Sequence, residues 1–177
     1  MDLSPRLFLV TGVMAAGKST VAQALSERFE RSAHVRGDTF RRFITSGRVD
    51  MTLDPAPEAL DQLRLRYQLA AATADRYVDA GFVTVLQDVV LGSLLREVVA
   101  RIETRPLAVV VLAPDAATVA ERDVQRTKTG YTGFSAADMD LEFRERTPHL
   151  GLWVDNSRLT VPETVDHIIG HAADAVI

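Results

Sequence analysis

The apolar run Leu7-Phe8-Leu9-Val10-Thr11 breaks at Gly12-Val13-Met14-Ala15-Ala16-Gly17-Lys18-Ser19-Thr20 and resumes as Val21-Ala22-Gln23-Ala24-Leu25. Few folds accept that order. The first run has the length of a buried strand, and the last has the spacing of a helix packed along one face. Between them, two glycines separated by four residues let the backbone take conformations closed to other residues, so successive N–H groups can turn inward as an anion nest. The following helix adds the partial positive charge of its N-terminus. Gly12-x-x-x-x-Gly17-Lys18-Ser19 fills every fixed position of the Walker A pattern, and it stands in the strand–loop–helix setting that pattern requires.

The rest of the chain continues the alternation. Strands are expected at Ala33 to Arg36, Phe82 to Leu86, Leu107 to Ala113 and Leu152 to Val154. A short helical stretch after Asp38 places Phe40, Phe43 and Ile44 on one side. Ser46 to Pro57 carries one glycine and two prolines and reads as a loop. A long helix is expected from Glu58 to Ala80, with Gly81 as its stop. Further helices follow Asp88 and Pro114, and the last begins near Val161-Pro162. Lys128 to Phe134 reads as a mobile loop, and Ser135 with Asp138 caps a helix reaching Arg146. This pattern predicts an α/β fold: a three-layer P-loop NTPase arrangement with a five-stranded parallel sheet, helices on both faces, and a lid over about 122–134. The 177 residues form one domain, without repeats or a linker. Ligands in such sheets collect at the carboxyl ends of the strands, where Gly12, Asp38 and Asp88 all fall.

A Walker A loop defines phosphate handling, not a function. Guanine-specific GTPases carry an Asn-Lys-x-Asp motif, yet the only asparagine here is Asn156, followed by Ser157. Motor ATPases place an Asp-Glu pair after an apolar strand, and neither VTVLQDVV nor VVVLAPD supplies one. A kinase remains. Composition removes other classes: with no cysteine there are no disulfides, thiolate zinc sites or cysteine nucleophiles. The four histidines share no metal spacing. A net charge of -4 argues against a nucleic-acid surface built on bulk charge. No segment reaches membrane-spanning length and the N-terminal apolar run is too short for a signal peptide, which gives the expectation of a cytoplasmic protein.

Roles for individual residues follow from this reading. Gly12, Val13, Met14, Ala15, Ala16, Gly17, Lys18, Ser19 and Thr20 cradle the phosphates of ATP, with Lys18 at the terminal phosphates and Ser19 on Mg²⁺. Asp38, in VRGDTFRR, ends the second strand twenty positions after Lys18. It is the expected base for an acceptor hydroxyl, a role compatible with capping the helix behind it. Asp88, in LQDVVLG, is expected to hold magnesium or to bind substrate. Arg122 and Arg126 share a helix face ahead of the lid, positioned to hold the nucleotide and offset transferred charge; Arg126 joins Lys18 and Asp38 among the catalytic candidates. Arg41 is a candidate for holding an anionic substrate.

These residues together resemble the P-loop small-molecule kinases of the chloramphenicol phosphotransferase-like type. The resemblance rests on GVMAAGKS, the Gly37-Asp38 pair, QDVVLG, Arg122-Asp123-x-x-Arg126 and Val154-Asp155-Asn156-Ser157. It implies that Asp38 is the catalytic base and that Gln87 to Gly92 border the acceptor pocket. The Arg-x-x-x-Arg pair also resembles the lid entry of nucleoside monophosphate kinases, where the first arginine packs on adenine and the second meets phosphates. Two departures stand out: Gln87-Asp88-Val89-Val90 replaces Asp-Asp-Val-Phe, and TKTGYTGF replaces an Arg-Gly-Asp-Arg-type lid start. The expected activity is transfer of the γ-phosphate of ATP to a hydroxyl of a small molecule, an antibiotic among the candidates. The rivals are an ATP-binding regulatory or self-protection protein that transfers nothing, and a nucleic-acid 5′-hydroxyl kinase, which the acidic charge and scarce aromatics disfavour.

Overall fold

The computed structural model describes residues 4–52, 54–124 and 142–177. Five strands form one sheet: β1 (Leu7–Gly12), β2 (Ser32–Arg36), β3 (Val83–Gln87), β4 (Leu107–Leu112) and β5 (Leu152–Val154). Their order is β2-β3-β1-β4-β5. Every pairing is parallel, with Leu7 opposite both Thr84 and Leu107. Central position explains composition. All six residues of β1 and all six of β4 are buried, so LFLVTG and LAVVVL carry no charge. The edge strands β2 and β5 are partly exposed and tolerate Arg36 and Trp153.

Helices cover both faces of the sheet. The chain builds α1 (Lys18–Ser26), α2 (Asp38–Arg42), α3 (Pro57–Asp79), α4 (Leu94–Arg101) and α5 (Ala116–Val124). A π-helical turn at Glu142–Arg146 precedes β5, and α6 (Val161–Gly170) closes the chain. The start of α6 is encoded locally by a capping box in which Thr160 and Glu163 satisfy each other's backbone N–H groups. Gly81 ends α3 as expected, at φ +89°, with Phe82 N–H closing back on the Tyr77 carbonyl.

Two local expectations are corrected. The third strand lies one residue later than expected, at Val83–Gln87, because Val83 N–H pairs with the Arg31 carbonyl at the mouth of β2. Gly37, not Asp38, is the N-cap of α2, and no side chain caps that helix. Phe40 and Phe43 do share one side of this stretch, with ring centroids 5.8 Å apart, though Phe43 is 69% exposed. The loop expected at 128–134, most of the helix expected from Ser135, and Arg126 lie outside the described residues.

After β1, the chain goes to one side for β2 and β3 and to the other for β4 and β5. The reversal opens a crevice beyond the carboxyl ends of β1 and β3, the usual ligand position in such sheets. Among the described residues no helix is long and apolar enough to cross a membrane.

Candidate active site

The loop after β1 has the backbone that its glycines predict. Gly12 sits at φ +141°, and a Cβ there would lie 2.3 Å from the Leu112 carbonyl oxygen of β4. Gly17, at φ +88°, is the N-cap of α1. Ala15 takes φ +60°, a conformation that costs energy in a residue with a Cβ. Ala16 N–H bonds the Val13 carbonyl across the loop at 3.3 Å. Lys18 is buried, and its Nζ donates to the Val13 carbonyl at 2.5 Å, folding the side chain over the loop.

Residues far away in sequence hold this loop. Asn156, 3% exposed, donates from Nδ2 to the Ala16 carbonyl at 3.1 Å. The Asn156 carbonyl in turn accepts from Arg122 Nη2 at 3.0 Å. Ser157 Oγ accepts from Asp115 N–H at 2.7 Å, and Asp155 accepts from the Ser157 hydroxyl at 2.5 Å. That hydroxyl bond and the Ser157 N–H hold the Asp155 carboxyl below the usual carboxylate range. Arg122 is thus brought to the turn at 155–158, beside the phosphate loop. Thr11 Oγ1 donates to the Val90 carbonyl at 3.0 Å and accepts from Val90 N–H at 2.9 Å, clasping the segment after β3 against β1.

The second half of the site is built from charge. Asp38, the first residue of α2, is half-buried. It accepts from Arg41 Nε at 3.2 Å, and from Arg42 Nη2 at 2.8 Å and Nε at 3.1 Å. Arg66 Nη1 stands 3.7 Å from its Oδ1. Burial alone would raise the Asp38 pKa. The guanidinium of Arg66, the Arg42 bond and the charges of Arg41 and Arg42 outweigh it, so the carboxyl lies below its ordinary value. Arg41 also reaches Asp50 at 2.5 Å, so this candidate anion holder is engaged by two carboxylates of its own chain.

Asp88 is 2% exposed. Arg66 grips it with Nε on Oδ2 at 2.8 Å and with Nη2 on Oδ1, while Val89 N–H donates to Oδ1 at 2.7 Å. The carboxylate fills the place of a side chain at Gly37, whose Cβ would lie 1.9 Å from Oδ2. Both oxygens of Asp88 are therefore engaged, a poor starting point for the magnesium role expected from its strand-end position. Ser19 is better placed. Its Oγ lies 3.2 Å from Gln87 Oε1, at the end of β3.

Sequence reasoning did not single out Arg66, although a signal was present. Arg66, Ala70 and Ala74 follow one another at four-residue steps on the buried stripe of α3, so Arg66 is a charge on an apolar face. A buried arginine calls for a carboxylate partner. Asn156 was legible as the sole asparagine but not as a support for the loop.

Comparison with known proteins places the chain by family and by fold. The family model described as AAA domain matches residues 7–144, and the chain belongs to that family. No curated protein sequence is significantly similar to the chain. Three solved structures share the fold over nearly the whole length. A sugar kinase from Janibacter sp. HTCC2649 is 17% identical, with 97% of this chain and 96% of that one covered and a TM-score of 0.69. The Deinococcus radiodurans tunicamycin resistance protein is 17% identical, with 98% of each chain covered and a TM-score of 0.66. The Mycobacterium tuberculosis APS kinase CysC, solved with AMPPNP and APS, is 18% identical, with 94% and 96% covered and a TM-score of 0.65. The chain shares with these structures its fold, a five-stranded parallel sheet with helices on both faces. None of these three structures bears the chloramphenicol phosphotransferase name.

Proposed function

We propose that the protein is an ATP- and Mg²⁺-dependent kinase that moves the γ-phosphate to a hydroxyl group of a small molecule. The observation that carries this reading is Asp38. It is a carboxylate just past the end of β2, at the same carboxyl edge of the sheet as the phosphate loop and one strand removed from β1, fixed by arginines and unneeded for holding a triphosphate. A protein that only bound ATP would gain nothing from an acid there, since it would repel the phosphates.

Backbone N–H groups of Gly12 to Thr20 and the start of α1 would take the phosphates, and Lys18 would swing from the Val13 carbonyl onto their terminal oxygens. The donor set at Ser19 fits magnesium: a hydroxyl with a neutral amide oxygen behind it suits a small hard cation that keeps several waters. When bound, the metal neutralises charge on the phosphate oxygens. Asp88 is left to the arginine that grips it. Arg122, tied to the turn at 155–158, supports the adenine end, and Arg126 is assigned to the transferring phosphate.

Because its pKa is depressed, Asp38 is a weak base in the ground state. It acts first by accepting the acceptor's O–H hydrogen bond and aiming the oxygen, and it takes the proton late, as the new bond forms. The acceptor is a neutral or weakly charged alcohol, since Arg41 is occupied by Asp38 and Asp50. An antibiotic hydroxyl and a sugar hydroxyl both meet this description. The test is an ADP-release screen with ATP and Mg²⁺ over hydroxyl-bearing sugars, metabolites and antibiotics, followed by mass spectrometry of the product. A phosphomonoester formed from one compound is the expected result. ATP binding with no product from any compound would overturn the reading.

A further inference from the structure

Nothing in the assignment of Asp38 as the acceptor-orienting carboxylate explains why a charged arginine is buried beneath it. Arg66 is 4% exposed, on the inward stripe of α3. Such a cation is tolerated only where its charge is matched and its N–H groups are bonded. Asp88 does this with both oxygens, and Val89 N–H fixes the carboxylate from the other side. Gly37 leaves the space that the carboxylate occupies, and Tyr67 OH, one residue along α3, donates to the Val89 carbonyl at 2.7 Å. The pair therefore locks three pieces together: the end of β2, the middle of α3 and the segment after β3.

Besides its bidentate seating on Asp88, Arg66 faces the carboxylate of Asp38. Its Nη1 stands 3.7 Å from Asp38 Oδ1, the oxygen that also accepts from Arg41, while Arg42 takes Oδ2. Arg41 and Arg42 lie on the same short helix as Asp38 and move with it, and the other carboxylate that Arg41 meets, Asp50, belongs to the loop that follows and not to the sheet. Arg66 can fix that helix relative to the sheet, because it is anchored on another element and against a buried carboxylate.

We propose that Arg66, seated by Asp88, is a positioning residue that sets where the Asp38 carboxylate stands relative to the phosphate loop. It does not touch substrate; it acts through Asp38. The inference rests on the proposed transfer reaction only for its kinetic consequence, because the positioning itself is read without an acceptor.

Three full-length proteins test it: wild type, Arg66→Lys, and the paired Arg66→Met/Asp88→Asn, which removes both buried charges together so that neither is left orphaned. Carboxyl NMR of Asp38 is followed through an acid titration, with Arg41, Arg42 and Asp50 unchanged as its other charged neighbours. ATP affinity is measured by calorimetry. If the proposal is right, the paired variant folds, binds ATP as wild type does, and shows the Asp38 titration moved up toward the ordinary carboxylate range. Its kcat toward any acceptor found in the screen falls on the order of 10²-fold, as expected for a misplaced reacting group. Arg66→Lys, which keeps one charge but cannot grip Asp88 with a fork, gives the same direction with a smaller titration shift. An unmoved Asp38 titration in the folded paired variant overturns the positioning role, whatever the activity. If the paired variant does not fold, Arg66→Lys decides: unchanged titration and unchanged kcat there overturn the proposal. A shifted titration in a protein that phosphorylates nothing leaves Arg66 as the seat of Asp38 and removes the kinase reading instead.

Discussion

The nucleotide half of the crevice and the acceptor half are made in different ways. The first is mostly backbone: a glycine-shaped loop, the N-terminus of α1, and an asparagine bonded to a main-chain carbonyl. The second is mostly side chain: Asp38, Arg41, Arg42, Arg66 and Asp88 from three separate segments, bound to one another by ion pairs. A backbone cradle recognises what every nucleoside triphosphate shares and depends little on which side chains surround it. A charge cluster depends on each member, so one substitution can redirect it. The contrast predicts that substitutions in the two halves differ in what they damage.

The largest effect belongs to Lys18. Lys18→Ala should weaken ATP binding and abolish turnover, since it removes the only side-chain cation the loop itself offers to the terminal phosphates. Calorimetry and ADP release check both, and unchanged values would break the assignment of the loop. Next comes Asp38→Asn, which keeps the shape and should leave ATP affinity intact. Transfer to a verified acceptor should fall by about 10²–10⁴-fold. If ATP binding collapses instead, Asp38 belongs to the nucleotide half and the contrast between the halves fails.

A third prediction addresses base choice. With the turn at 155–158 gripping Arg122 and no Asn-Lys-x-Asp motif present, ATP should be preferred as donor over GTP. A titration with tight GTP binding and negligible ATP binding would contradict it. Fourth, Asn156→Ala deletes the buried bond to the Ala16 carbonyl and should lower stability by about 1–2 kcal/mol. Thermal unfolding measures that, and ATP affinity should fall with it while Asp38 keeps its titration. The smallest effect lies outside both halves. His34, beside Gln23, is held down to about 4 by burial and then by the charge of Arg36. The unfolded chain therefore binds the extra proton at higher pH than the folded one. Stability contributed by neutral His34 is complete above pH 6.5 and is lost as pH falls from there toward 4, by about 1 kcal/mol given its partial exposure. His34→Gln should flatten that slope in acid unfolding.

The two halves were also unequally legible in the sequence. Gly12 to Thr20 could be placed because a local pattern specifies a local backbone, and the structure follows it through φ +141° at Gly12 and φ +88° at Gly17. The sheet was legible for the same reason: LFLVT and LAVVVL are too apolar to lie anywhere but the centre. Asp38 could be placed at a strand end, but its environment could not, because Arg66 comes from a helix whose register on the sheet no local signal records. Asp88 illustrates the cost. Its position after β3 suggested metal or substrate, whereas the side chain that meets it lies 22 residues earlier, on the opposite side of a helix–strand turn. Of the lid expected at about 122–134, only 122–124 are among the described residues, and the rest of its reading comes from sequence.

The bond from Asn156 to Ala16 spans 140 residues, and β5 pairs with β4 only three residues before it. Arg28 of the first helical region likewise meets Asp166 of α6 at 2.5 Å. Synthesis runs from the N-terminus, so the phosphate loop emerges from the ribosome long before the residues that support it. A nascent chain with β1 to β4 exposed carries the whole Gly12–Ser19 sequence yet has no donor for the Ala16 carbonyl and no turn to hold Arg122. Support of the phosphate loop is thus coupled to synthesis of the turn at 155–158: an early part of the chain waits for a much later one.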